Sequence, residues 1–223
     1  MWGVFFMEKY LKFREEFNKS IISAKRDIEE IELIAVSKRK PARLIEDVIE
    51  SGCFSFGENQ LQEIEGKWDL LKSYRQRLKL HFIGGIQSKK TRNIFKSCDS
   101  IHSIDRLKVV KIIKSLEKEI DKKVEYFIQI NTGDEQQKYG VPIHNSEKFI
   151  DECLNVYSLN VKGLMCLPPL KDDPKMHFMN LNKIGKNFNL PYLSMGMSHD
   201  YDIAIQCGST HVRIGSKIFG SRD

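Results

Sequence analysis

Ile31-Glu32-Leu33-Ile34-Ala35-Val36-Ser37-Lys38 is the stretch on which the fold of this chain turns. Its apolar, β-branched run reads as a buried strand. Lys40-Pro41 follows at once, with a helical pattern from Ala42 to Glu50, and proline at a helix start supplies a φ already set for the first turn. Lys38 therefore stands at the C-terminal tip of a first strand, where α/β folds place ligands. Such an amine can form a Schiff base with an aldehyde cofactor once it loses its proton. A solvated loop lysine would explain the same residue, so the remaining chain has to decide.

Seven further strand candidates follow, at 52–57, 78–85, 100–105, 123–131, 161–166, 192–195 and 211–215. Helical patterns separate most of them, at 106–119, 145–154, 174–187 and 200–206, with a short helix opening at Gln87. A helix over 60–76 is weakened by Gly66 and Asp69 and is expected to be abbreviated. Before the first strand, Tyr10, Leu11, Phe13, Phe17, Ile21, Ile22 and Ile28 recur at helical spacing and predict an amphipathic helix over 8–30. Parallel strands need helical crossovers, and eight of them close a barrel. The expected fold is a single (β/α)8 TIM barrel with an additional N-terminal helix. An open doubly wound sheet is the alternative, but no glycine-rich nucleotide fingerprint follows the first strand. The barrel domain is expected over residues 8–223, with 1–7 an N-terminal extension and Met7 an alternative initiator.

The 223 residues are 41% hydrophobic and 30% charged, enough to bury a full core in a soluble protein. A formal charge of +6 favours anionic partners, but the basic residues are spread along the chain. Runs such as Lys38-Arg39-Lys40 and Lys89-Lys90-Thr91-Arg92 lack the aromatic platform or recognition helix of a nucleic-acid binder. Five widely spaced cysteines with no CxxC pair point to reduced thiols and away from a thiolate zinc site. The apolar start is too short for a signal peptide and no later stretch approaches a membrane span, so a cytoplasmic location is expected.

Barrels carry functional residues just past their strands. Here those positions hold Lys38, Asn59, Gly84-Gly85, Ser103 to Asp105, Asn131, Met165, Ser194 to Gly196 and Arg213 to Ser216. In Met195-Gly196-Met197-Ser198 and Ile214-Gly215-Ser216, glycine and serine lie between a strand and a helix, a pattern suited to phosphate. Arg213, between Val212 and Ile214, needs either a carboxylate partner or a ligand if it faces inward.

With these residues placed, the chain resembles the pyridoxal phosphate homeostasis family, whose fold is similar to the N-terminal barrel of alanine racemases. The resemblance is carried by Ile34-Ala35-Val36-Ser37-Lys38, Phe56-Gly57-Glu58-Asn59 with Gln62-Glu63, His81-Phe82-Ile83-Gly84, and His102-Ser103-Ile104-Asp105. Gln129-Ile130-Asn131, Gly163-Leu164-Met165, Leu193 to Ser198, Gly208-Ser209-Thr210 and Val212 to Gly220 continue it in order. Gly85, Lys89 and His199 depart from the residues commonly found in the family.

The resemblance implies a Schiff base of pyridoxal 5′-phosphate on Lys38. It implies a phosphate surrounded by Ser194, Thr210, Gly215 and Ser216, Arg213 facing the ring nitrogen, and Asn59 and His81 nearer the ring and the barrel floor. It further implies a non-catalytic carrier in vitamin B6 and amino-acid homeostasis. The expected partners are the cofactor and apo pyridoxal-phosphate enzymes, and the expected state is a monomer without nucleic-acid or membrane binding. A weak racemase or lyase is the alternative. It needs a second acid or base, for which His81, Tyr139 and Cys166 are candidates, because the barrel pattern ends at Phe219 without the racemases' added domain.

Overall fold

The structure, a computed structural model, describes residues 2–220, with side chains from Met7 onward. Among the described residues, nine parallel strands run β1 (Glu32–Val36), β2 (Ser55–Glu58), β3 (Lys79–Phe82), β4 (Ser100–Ile104), β5 (Glu125–Asn131), β6 (Val141–Pro142), β7 (Val161–Cys166), β8 (Tyr192–Ser194) and β9 (His211–Ile214). Eight of them close a barrel in chain order: β9 pairs with β1 through Ile34↔Arg213, and β4 pairs with β5. The two-residue β6 extends the sheet beside the protruding tip of β5. The fold is the (β/α)8 barrel expected from the strand pattern.

Strand side chains alternate between two environments. Leu33 and Ala35 of β1 face outward into one continuous apolar layer with the surrounding helices, while Ile34 faces the barrel interior. Helix α1 (Trp2–Ser23) crosses the seam where the barrel closes, packing on α2 (Ala42–Glu50) and on the short helices Tyr201–Gln206 and Ser216–Phe219. Phe13, Phe17 and Tyr201 meet there in tilted and edge-to-face contacts with centroids 5.7–5.9 Å apart. Burying a ring such as Phe17 removes its whole apolar surface from water, worth roughly 1.5–3 kcal/mol.

The first helix ends earlier than its apolar spacing suggests. Lys25 adopts φ 57°, and the Lys25 and Arg26 amides bond back to the Ile22 and Ile21 carbonyls. That pairing is a left-handed stop, so Ile28 belongs to a separate 3-10 turn (Ile28–Glu30) capped by Asp27. The stretch after β2 is abbreviated as anticipated: a short α-turn at Leu61–Glu63, a wider turn at Ile64–Trp68, then 3-10 turns. The wider turn points Lys67 and Trp68 back at Glu58. No helix among the described residues is long and apolar enough to cross a membrane.

Candidate functional site

Lys38 lies two residues past β1 on a clamped turn. The Ser37 hydroxyl donates to Glu58 Oε1 at 2.6 Å, Lys67 Nζ donates to the Ser37 carbonyl at 2.7 Å, and the Arg39 amide donates to Glu63 Oε2. The Lys40 amide closes the turn on Ser37, and Arg39 accepts a left-handed φ of 58° to permit it. Lys67 links the clamp by ion pairs to Glu58 at 2.6 Å and to Glu63 at 2.9 Å. Burial pushes the Glu58 carboxyl above its ordinary value despite Lys67. Glu63 is also desolvated, but Lys67 and the Arg39 amide hold it below.

The lysine opens onto a cavity of about 500 Å³ at the C-terminal face, lined with Asn59, Gly84, Gly85, Gln87, Gln129 and Tyr139 among others. That volume suits a small ligand. Asn59 leaves its buried Oδ1 without a hydrogen-bond partner. The two glycines shape the wall: a Cβ on Gly84 would stand 2.0 Å from the Asn59 carbonyl oxygen, and one on Gly85 would stand 2.6 Å from the Tyr139 ring.

Deeper in the barrel, Arg213 is buried and donates to Ser194 Oγ at 2.6 Å and to the Cys166 carbonyl at 2.9 Å. Among the described residues no carboxylate forms an ion pair with it; buried Asp200 acts on it only through space and has its own ion pair with His199. Burial brings its guanidinium down to about 10, which leaves it charged at neutral pH. Gly215 packs beside Val36 at the end of β1, and Ser216 opens the four-residue helix behind it.

Lys38, Asn59, Ser194, Arg213, Gly215 and Ser216 therefore all belong to the C-terminal half of the barrel. Only Lys38 and Asn59 of these line the cavity; Ser194, Arg213, Gly215 and Ser216 do not, and neither do the other two candidates, Thr210 and His81. Thr210 precedes β9 whereas Gly215 follows it, so the four residues of the strand, each rising about 3.3 Å, lie between them. Its hydroxyl accepts the Leu193 amide at 2.8 Å and meets His211 Nδ1 at 2.8 Å, which is support for the floor and not for a phosphate. His81 is fully buried with both ring nitrogens engaged, Nδ1 on His102 and Nε2 on Glu32.

A family model described as alanine racemase, N-terminal domain, matches residues 19–223. The pyridoxal phosphate homeostasis protein of Pasteurella multocida is 34% identical over 222 residues, covering 95% of each chain. That of Pseudomonas aeruginosa is 35% identical, covering 97% of this chain and 95% of its own. The chain belongs to the pyridoxal phosphate homeostasis protein family. A protein of unknown function from Bifidobacterium adolescentis superposes with a TM-score of 0.90 at 23% identity, covering 97% of this chain and 95% of that one. PipY of Synechococcus elongatus, solved with pyridoxal phosphate bound, gives 0.82 at 25% identity over 96% of this chain and 100% of its own.

Within this homeostasis-family barrel, sequence reasoning passed over the residues that hold others in place. Glu58 and His102 stood inside quoted motifs but were not singled out, and Lys67 belongs to no motif. The available signal was parity: His81, His102 and His211 all fall on inward positions of strands whose interior is usually aliphatic.

Proposed function

We propose that this chain is a cytoplasmic carrier of pyridoxal 5′-phosphate, held on Lys38, that serves vitamin B6 and amino-acid homeostasis without turning over a substrate. The observation that carries the reading is the pairing of a clamped Lys38 facing a 500 Å³ cavity with a buried guanidinium, Arg213, that forms no ion pair among the described residues. The cofactor supplies an aldehyde that condenses with a lysine amine and a ring that can accept electrons. Arg213 can only donate hydrogen bonds, so a ring nitrogen facing it stays unprotonated and the electron-accepting capacity stays low. Gly215 and Ser216 offer the free amides of a helix start to the phosphate.

The same geometry weakens the racemase or lyase alternative. Of its three candidate acids and bases, His81 lies below His102, and burial pushes the Cys166 thiol up to about 12. Tyr139 alone lines the cavity, and its ring is more than half exposed. The family relationship to proteins named for pyridoxal phosphate homeostasis supports carriage over turnover. Residues 8–223 would act as one cofactor-binding unit, as a monomer, with apo pyridoxal-phosphate enzymes as recipients.

The test is absorbance of the purified protein with added pyridoxal 5′-phosphate before and after borohydride, followed by mass mapping. The expected result is a yellow species reduced to a single phosphopyridoxyl adduct on Lys38, lost in Lys38→Ala. A colourless protein, or label scattered over other lysines, would overturn it.

A further inference from the structure

A carboxylate stands two register positions below Arg213 on the neighbouring strand, since Ile34 of β1 pairs with Arg213 and Glu32 with His211. Glu32, the first residue of β1, gathers the Ser55 hydroxyl, His81 Nε2 at 3.0 Å, His211 Nε2 at 3.1 Å and Lys79 Nζ at 3.3 Å. Three side chains bridge the interval. Ser194 Oγ is 2.8 Å from His102 Nδ1, and His102 Nε2 is 2.9 Å from His81 Nδ1.

The end groups impose a direction on this chain. A guanidinium only donates and a carboxylate only accepts. Ser194 accepts from Arg213 and passes its own hydrogen to His102 Nδ1. His102 then carries its proton on Nε2 and donates to His81, whose Nε2–H donates to Glu32. Run the other way, His81 would set a bare ring nitrogen against the carboxylate at 3.0 Å, and the Ser55 hydroxyl, 2.8 Å from that nitrogen, could meet it only by giving up its own bond to Glu32 Oε1. His102 stacks on Phe127, centroids 4.1 Å apart, which holds the plane of its ring in line with both neighbours.

We propose that Glu32 fixes the direction of this chain, and that His81, His102 and Ser194 are positioning residues transmitting that one direction of hydrogen bonding to the Arg213 guanidinium. Burial pushes both imidazoles below the ordinary histidine value, in keeping with neutral rings. Around the foot of the chain stand His211, Lys79, Glu125, Ser55 and Thr210, which hold the carboxylate and its neighbours. The consequence for cofactor binding rests on the proposed role of Arg213. The direction of the chain does not.

Nitrogen-15 NMR of the histidine-labelled full chain without cofactor tests the direction. At pH 7 the expected result is His81 and His102 both neutral with the proton on Nε2. A proton on Nδ1 of either ring, or an imidazolium, overturns the proposal. In Glu32→Gln the side-chain amide can turn its NH₂ toward His81, so both rings are expected to show mixed tautomers, and Glu32→Asp is expected to restore the single one. Affinity for pyridoxal 5′-phosphate should fall roughly tenfold in Glu32→Gln, the scale of one charge-assisted hydrogen bond. Unchanged tautomers in Glu32→Gln refute the coupling. Wild-type protein with the expected tautomers but no label on Lys38 would uphold the chain and refute the cofactor reading. The wild-type measurement stands even where a variant fails to fold.

Discussion

Lys67→Met tests how the Lys38 turn is held. The substitution keeps the aliphatic stem but removes the ammonium from Glu58, whose side chain is fully buried, and from the Ser37 carbonyl. Removing one partner of a buried pair costs about 3–5 kcal/mol. The low end applies because Lys67 is 13% exposed and Glu58 can escape by taking a proton. About 3 kcal/mol in a chain of this size lowers Tm by roughly 6–12 °C. The pH dependence is the sharper reading. Burial already raises Glu58 above its unfolded value, and losing Lys67 raises it further, so the folded variant binds a proton that the unfolded chain releases. Stability is then retained in acid and lost as pH rises, with a limiting slope of about 1.4 kcal/mol per pH unit. Urea unfolding followed by circular dichroism at pH 5.5 and 7.5 should show the larger loss at pH 7.5. Adding Glu58→Gln to the variant should recover part of it. A loss equal at both pH values would show that Glu58's charge is not the cause.

Gly84→Ala drives a methyl into the Asn59 carbonyl oxygen, so pyridoxal 5′-phosphate labelling of Lys38 should drop sharply while far-UV circular dichroism is retained; normal labelling would mean that the cavity wall yields. Thr210→Val removes the acceptor of the Leu193 amide and the His211 contact, and should cost about 1–3 kcal/mol in urea unfolding without a selective loss of cofactor. A selective fall in cofactor affinity with unchanged stability would return Thr210 to the phosphate. Because burial lowers the folded-state value of His102, the unfolded chain takes up its proton first and stability falls as pH drops below about 6.5. His102→Phe should flatten the stability profile between about pH 5 and 6 by up to 1.4 kcal/mol per unit, and an unchanged slope would mean that His102 is already protonated in the fold.

The barrel was legible because its signals are local. Most strands are short apolar runs closed within a few residues by glycine, serine, asparagine or proline, and the longer crossover helices have their own period. Boundaries were missed where backbone geometry overrode composition: Lys25 turns left-handed and ends α1 inside an apolar pattern that runs on to Ile28. Position just past a strand was legible for Lys38, Asn59, Gly215 and Ser216, which follow β1, β2 and β9. Thr210 was misplaced because hydroxyls at either end of a four-residue strand look alike in sequence, and only the register of β9 against β1 and β8 says which end is which. Lys67 was invisible for a different reason. Its role depends on the wider turn at Ile64–Trp68, which no residue pattern announces.

The barrel floor is the part that stability alone does not explain. Aliphatic layers usually fill such an interior, and replacing buried charges by well-packed apolar groups is commonly neutral or stabilising. Here Glu32, His81, His102, His211, Ser194 and Arg213 occupy it instead, and every histidine nitrogen among them has a partner. A network this complete avoids the cost of an orphaned polar group, but it gains nothing over leucine and isoleucine unless its upper end is needed. That end is a guanidinium beneath the strand tips that carry Lys38. On the proposed reading, the polar floor is the support that holds one positive charge in the buried barrel interior by hydrogen bonds and without an ion pair among the described residues, so that the charge can serve a ligand.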